Sequence, residues 1–230
     1  MSRRPRFPFA GLPLHVVQRG NDRQRCFFEE RDYRVYLRAL AEASVKCSVT
    51  VHAYVLMTNH VHLLVTPGAI GAVSRLMQSV GARYVWYVNA CRQRSGTLWE
   101  GRYKACLVSR DEHVLMACRY IDLNPVRAQM VRHPSDYGWS SYAALAEQRI
   151  DALVTPHDAL VQLGKPRGPA YARWCAASSG VEDENRLREA TGRELAFGSD
   201  TFRAEVEART KRSLAIRGRG RPPRIAKPAG

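Results

Sequence analysis

The chain has 230 residues, 45% of them apolar, with a formal charge of +15 and a pI of about 10.1. That length and apolar content suit one well-buried core with an appendage and exclude a largely disordered chain, while no apolar run approaches the roughly 20 residues that span a bilayer. The excess of Lys and Arg points to a polyanionic partner, and nucleic acid is favoured over a membrane because no basic helix presents an exposed apolar face.

Leu14 to Gln18 reads as a first strand, followed by the basic turn Arg19-Gly20-Asn21-Asp22-Arg23. Tyr33, Tyr36, Leu37 and Leu40 recur at helical spacing, which predicts a helix over about residues 30–46. Val49 to Met57 and Val61 to Val65 are rich in β-branched and apolar residues, with Thr58-Asn59 as a tight connection between them; together they predict a hairpin. Val73, Leu76, Met77, Val80, Tyr84 and Tyr87 mark the buried side of a second helix over about 70–92. Tyr103 to Val108 is a further strand. Ser109 and Glu112 form a capping-box pattern that opens a third helix, and Pro125 should end or kink it near Asn124. The order β-α-β-β-α-β-α predicts an α+β fold, a ferredoxin-like βαββαβ antiparallel sheet with helices on one face.

After about residue 145 the texture changes. Pro156, Pro166 and Pro169 interrupt short apolar pieces, and residues 183–192 and 199–212 read as two short helices, the second capped by Ser199. We therefore divide the chain into a domain over 1–145, a helical, basic extension over 146–216, and a low-complexity tail over 217–230. Six cysteines without a Cys-x-x-Cys pair read as reduced thiols. Pro8 and Pro13 break the segment behind the basic N-terminus, so no secretory leader is expected and the protein is placed in the cytoplasm, with the nucleoid.

The sharpest local signal is Asn59-His60-Val61-His62. Side chains alternate along a strand, so His60 and His62 share a face and two imidazoles can reach one cation; the competing reading is two polar residues on a wetted sheet. The second signal is Cys118-Arg119-Tyr120-Ile121-Asp122-Leu123-Asn124-Pro125. Tyr120 and Asn124 lie four apart, on one helical face. Tyr120 alone would read as a core residue among the ten tyrosines of the chain.

Asn59-His60-Val61-His62, then Arg102-Tyr103-Lys104, then Tyr120-Ile121-Asp122-Leu123-Asn124-Pro125-Val126-Arg127-Ala128, resembles the IS200-like Y1 transposases of the HUH type. The likeness covers roughly residues 10–145 and is greatest to the REP-associated tyrosine branch. It implies a metal-dependent single-strand DNA endonuclease and strand-transferase. Tyr120 would be the nucleophile, His60 and His62 metal ligands, Asn124 the third ligand, and Mg²⁺ or Mn²⁺ the ion. Family members cut beside hairpins through a 5′-phosphotyrosine link, so the implied partner is single-stranded DNA with REP-like palindromes. The family works as monomer or homodimer. The chemistry is consistent: only about one phenol in a thousand is ionised at pH 7, and a cation polarises the phosphate that such a nucleophile must attack.

Arg102, Lys104, Arg119 and Arg127 cluster around these motifs and are candidates for holding DNA phosphates. Glu100 reads either as a metal ligand or as a turn carboxylate paired with Arg102. His113 lies seven before Tyr120 and either shares its face or is an ordinary helix residue. Tyr84, Trp86 and Trp99 are candidates for base stacking as well as for the core. Arg219 and Arg221, in Arg217-Gly218-Arg219-Gly220-Arg221-Pro222, resemble an AT-hook that would take an A/T-rich duplex; generic phosphate binding explains them equally well. Arg3, Arg4 and Arg6 of the N-terminal arm have the same two readings, and the resemblance favours hairpin or guide-sequence recognition for them. Two other classes compete with the nuclease: a hairpin-binding regulator without cleavage, and an unrelated barrel metalloenzyme, which the long helical segments disfavour.

Overall fold

A computed structural model describes residues 5–110, 112–177, 180–211 and 213–214. Strand β1 spans Leu14–Arg19 and helix α1 Glu30–Cys47. Strands β2 (Val49–Met57) and β3 (His60–Pro67) form the expected hairpin, with Met57 paired to His60 across Thr58-Asn59. Helix α2 (Ala72–Cys91), strand β4 (Lys104–Val108), helix α3 (Glu112–Asp122) and the single turn α4 (Asn124–Arg127) follow. The remaining elements are α5 (Tyr142–Ala146), a 3-10 segment over Asp158–Leu163, α6 (Arg167–Ala176), α7 (Val181–Arg193), the two-residue strand β5 (Ala196–Phe197) and α8 (Asp200–Thr210). Ser199 caps α8 as its sequence predicts, its hydroxyl accepting from the Phe202 N–H at 3.2 Å.

The sheet order is β2-β3-β1-β4-β5. Neighbours among the first four strands are antiparallel, which is the ferredoxin-like arrangement that the element order predicts. Strand β5 joins β4 in parallel and makes the sheet mixed. It is too short to show a period. Hydrogen bonds from the Leu107 N–H to Leu195 O and from the Ser109 N–H to Phe197 O define it.

Residues paired across an antiparallel ladder point to the same face. Val17 and Arg19 therefore lie with His62 and His60, and His15 lies with Leu64 and Cys106. Helices α3 and α7 close this face: Tyr120 meets the His15 ring, and Thr191 hydrogen-bonds it. Val16, Val61 and Leu63 occupy the other face, fully buried. There α1 and α2 pack on each other and against β2 and β3. The helices of the βαββαβ unit thus share one face as expected, and helices from beyond the unit cover the second.

An aromatic cluster of Phe27, Tyr33, Tyr36, Tyr84 and Trp99 fills the space around the first two helices, with ring centroids of successive pairs between 4.5 and 6.3 Å. Glu29 and Asp32 form a capping box at the start of α1, and the Tyr87 hydroxyl donates to Asp32 at 2.9 Å, which ties α2 to that cap. Gly20, just after β1, is required by close packing: a Cβ there would lie 2.3 Å from Gln24 O. The core runs on past residue 146, taking in Leu160, Tyr171, Leu187, Leu195, Phe197 and Val206. Among the described residues no helix is long and apolar enough to cross a membrane.

Candidate active site

Helix α3 breaks where Pro125 predicts. Leu123 has left helical geometry at φ −88° and ψ 1°, and Pro125 opens α4. Proline has no N–H to offer the Ile121 carbonyl. The Asn124 side chain fills that gap, its Nδ2 donating to Tyr120 O at 2.9 Å and reaching Ile121 O at 3.4 Å. These bonds orient the amide and leave Oδ1 for the cavity that Asn124 lines.

Tyr120 projects from α3 onto the histidine face. Its ring stands edge-on to both His15 and His62, 5.7 Å from each centroid. Only 5% of the residue is exposed, yet it borders the cavity, and no described group hydrogen-bonds its hydroxyl. Arg127 holds it from behind. The guanidinium carbon sits 4.3 Å from the Tyr120 ring centroid, Nη2 donates to the Tyr120 carbonyl, and Nη1 pairs with Glu184 of α7 at 3.2 Å. Burial lowers the pKa of Arg127, and the Glu184 carboxylate opposes that.

A chain of hydrogen bonds settles where the histidine protons lie. The Thr191 hydroxyl donates to Leu187 O at 2.8 Å, so its oxygen must accept from His15 Nδ1, also at 2.8 Å. A neutral His15 then carries its lone pair on Nε2. That nitrogen is 2.8 Å from His62 Nδ1, with the ring planes within 8°, so His62 Nδ1 is the donor. The His62 lone pair is left on Nε2. His60 is set in the same way. Asn59 Nδ2 donates to Arg23 O at 3.0 Å, which turns its Oδ1 toward His60 Nδ1, 2.6 Å away. His60 Nδ1 is therefore protonated and Nε2 bare.

The rings are neutral near pH 7. Burial pushes His15 down to about 3, and burial followed by the Arg19 charge pushes His60 down to about 4. His62 lies well below the usual imidazole range, from burial first and then from its histidine and arginine neighbours.

These side chains open onto one cavity of about 640 Å³. Five cations line it, Arg6, Arg19, Arg102, Lys104 and Arg188, against two carboxylates, Glu100 and Glu194. Arg6 is paired with Glu194 and lies 3.7 Å from the Tyr103 ring centroid. The structure thus brings together His60, His62, Tyr120, Asn124, Arg102, Lys104 and Glu100 from the sequence reading. It does not bring Arg119 with them. Arg119 is 6% exposed, with its guanidinium carbon 4.5 Å from the Trp174 ring centroid and Nη1 donating to Trp174 O at 3.3 Å. One residue from Tyr120 means a turn of about 100° around the helix, which carries Arg119 to α6 instead of to the cavity. Arg127 also lies outside the cavity lining, held by Tyr120 and Glu184 as above. His113 packs against Phe197 at 4.9 Å. Arg3, Arg4, Arg219 and Arg221 lie outside the described residues.

His15, Thr191 and Arg188 were not anticipated. The two from α7 come from the extension, for which no role was derived from sequence. Among the described residues no three His, Cys, Asp or Glu side chains form a cation cage, and His15 commits its own Nε2 to His62. What remains is two imidazole lone pairs and one amide oxygen. That donor set fits an open divalent site better than a closed structural zinc site.

Residues 9–124 match the family model described as Transposase IS200 like. The chain belongs to the IS200-like transposases. Among solved structures, this transposase is similar to a REP-associated tyrosine transposase bound to a REP hairpin. The TM-score is 0.55 and the identity 19%, over 69% of this chain and 93% of that one. A protein of Deinococcus radiodurans R1, provisionally named a transposase, aligns with a TM-score of 0.37 and 18% identity over 59% of this chain and 97% of that one. The first likeness shows a shared fold. A comparison with curated proteins found no match.

Proposed function

We propose that this IS200-like transposase cleaves and rejoins single-stranded DNA beside hairpins, with Tyr120 as the nucleophile. The observation that carries the reading is convergence: from α3 and from β3, Tyr120, Asn124 and two neutral histidines open onto one basic cavity. Tyr120 Oη attacks the phosphorus, and the bond from phosphorus to O3′ breaks. The phenol proton leaves to the solvent in the cavity, and the departing O3′ takes one up. The DNA stays joined to Tyr120 through its 5′ phosphate. Attack by a 3′ hydroxyl reverses the step, so the number of phosphoester bonds is conserved and no nucleotide triphosphate is needed.

His60 Nε2, His62 Nε2 and Asn124 Oδ1 would hold a divalent ion, Mg²⁺ or Mn²⁺, with nitrogen donors favouring Mn²⁺. Such an ion supplies positive charge that polarises the phosphate as its oxygens gain charge. Arg102 and Lys104 hold the phosphates on either side of the scissile one. Arg127 keeps the Tyr120 ring and carbonyl in place. The REP hairpin bound by the similar structure supports REP-like palindromes as the substrate class. Arg3 and Arg4 would add hairpin contacts, and Arg219 and Arg221 contacts to A/T-rich duplex.

The test mixes the full chain with labelled single-stranded DNA carrying hairpins, with Mn²⁺, Mg²⁺ or chelator, on a denaturing gel. A metal-dependent protein–DNA adduct that disappears in Tyr120→Phe is the expected result. Hairpin binding without cleavage under every metal would replace the nuclease reading with a regulator that lacks the chemistry.

A further inference from the structure

The sequence offers three aromatic residues for base stacking, and the structure separates them sharply. Tyr84 is fully buried and Trp99 is 5% exposed, whereas Trp86 is 75% exposed. At that exposure the large apolar face of the indole is uncovered and open to a flat stacking partner. Trp86 borders a groove of about 770 Å³ between α1 and α2, on the side of the sheet opposite the Tyr120 cavity.

The rest of the groove is cationic. Arg31, Arg34 and Arg38 line it from α1, at the three- and four-residue spacing that aligns them on one helical face, and Arg83 lines it from α2. No carboxylate lines it. Arg34 pairs with Glu30 and Arg83 with Glu42, both at 2.7 Å and both at positions at least half exposed, so these contacts are weak and readily exchanged for phosphate. Arg31 and Arg38 have no carboxylate partner among the described residues. No arginine among the described residues lies over the Trp86 ring, which leaves its face open.

We propose that this groove is a second binding site for single-stranded DNA, with Trp86 stacking on an unpaired base and Arg31 and Arg38 neutralising phosphates beside it. An uncovered aromatic face among uncompensated arginines is the pairing of features that takes single strands without regard to sequence. Charge complementarity favours a polyanion over a second copy of this strongly basic chain. The proposal rests on DNA being the substrate, and it concerns a part of that DNA distant from the scissile phosphate. The sheet and a helical layer separate the two sites, so only a strand long enough to pass around the domain reaches both.

The experiment measures binding of the full chain, in the Tyr120→Phe background, to an oligonucleotide of about 10 nucleotides, the size that one groove takes, and to one of about 40 nucleotides. Trp86→Ala should weaken binding of the long strand by about ten-fold and reduce the difference between long and short. Arg31→Gln with Arg38→Gln should lower the salt slope for the long strand by about 1.4, from 0.7 per phosphate. Long DNA should quench tryptophan emission, and Trp86→Phe should remove that quenching. Equal affinities for the long strand with and without Trp86, and no quenching, would overturn the proposal. So would self-association that Trp86→Ala abolishes, because the groove would then belong to a second copy. Cleavage of hairpin-bearing single-stranded DNA by the chain with Tyr120 intact is read separately. Cleavage with a silent Trp86 rejects only this site; quenching without cleavage keeps the site and rejects the nuclease.

Discussion

Replacing His15 with phenylalanine keeps a flat ring between Thr191 and His62 but removes both of its nitrogens. His15 is 1% exposed, so water does not take their place. Two groups lose partners: the Thr191 oxygen that accepted from Nδ1, and the His62 Nδ1–H that donated to Nε2. A buried donor left unsatisfied costs about 1–3 kcal/mol. His62 can escape that cost by moving its proton to Nε2, which is the nitrogen the proposed ion needs. Either route weakens ion binding by about 10- to 100-fold, the usual effect of removing a group that orients a ligand histidine. Free Mn²⁺ measured by electron paramagnetic resonance during titration gives the affinity without any DNA. Long-range proton–nitrogen NMR of the ion-free protein gives the tautomer: His62 should carry its proton on Nδ1 in the native chain and lose that preference in His15→Phe. Native Mn²⁺ affinity together with an unchanged His62 tautomer in the variant would refute the hydrogen-bond argument. Thr191→Val should weaken the ion in the same direction and less, because His15 itself remains.

Other consequences are separable. Burial pushes the Asp122 carboxyl from 3.8 up to about 7, against hydrogen bonds from Ser141 at 2.6 Å and Tyr171 at 2.8 Å. Its proton therefore favours the folded state: that stability is fully present below the ordinary carboxylate pKa and lost as pH rises through about 7, by on the order of 4 kcal/mol. Chemical denaturation across this range should show the decline, and Asp122→Asn should flatten it. Arg102→Gln and Lys104→Gln should each lower the salt slope of binding to a short single strand by about 0.7. Arg119→Gln should leave that slope unchanged and lower stability by about 1–2 kcal/mol through loss of its contact with Trp174, as read by thermal melting. Arg127→Met should slow adduct formation with little effect on DNA affinity, because its guanidinium touches Tyr120 and Glu184 instead of the cavity.

The parts of the site that sequence reveals are those set by a local period. His60 and His62 share a face because a strand has a period of two, and Tyr120 meets Asn124 because a helix has a period near four. Pro125 stops α3 by chemistry that belongs to one residue. The same helical period turns Arg119 away from Tyr120 and toward Trp174, although the two are adjacent in sequence. His15 is a different case. Its strand looks like any half-buried strand, and its role depends on the β1–β3 register and on Thr191, 176 residues away. No local pattern carries that information. The helix α7 that bears Thr191 has a predominantly polar sequence, with three acidic residues in its first turn. It reads as a surface helix because only Leu187, Ala190 and Thr191 are buried.

The placement of α7 changes what the extension is for. Thr191 sets His15, His15 sets His62, and Glu184 holds the Arg127 that lies against Tyr120. One helix thus touches both halves of the proposed chemistry, the ion ligands and the nucleophile, without supplying either. The family match ends at residue 124, far short of this helix. A chain cut after α6 would keep His60, His62, Tyr120 and Asn124 and lose the groups that fix the protons and the ring. It would also lose β5, which completes the sheet beside β4. Single substitutions therefore test the coupling better than truncation. Glu184→Gln should disturb Tyr120 and slow adduct formation with Mn²⁺ affinity intact. Thr191→Val should weaken Mn²⁺ while the Tyr120 side of the site stays as it is. If the two variants instead lowered ion affinity and adduct formation in the same proportion, α7 would be acting only as a general support for the fold.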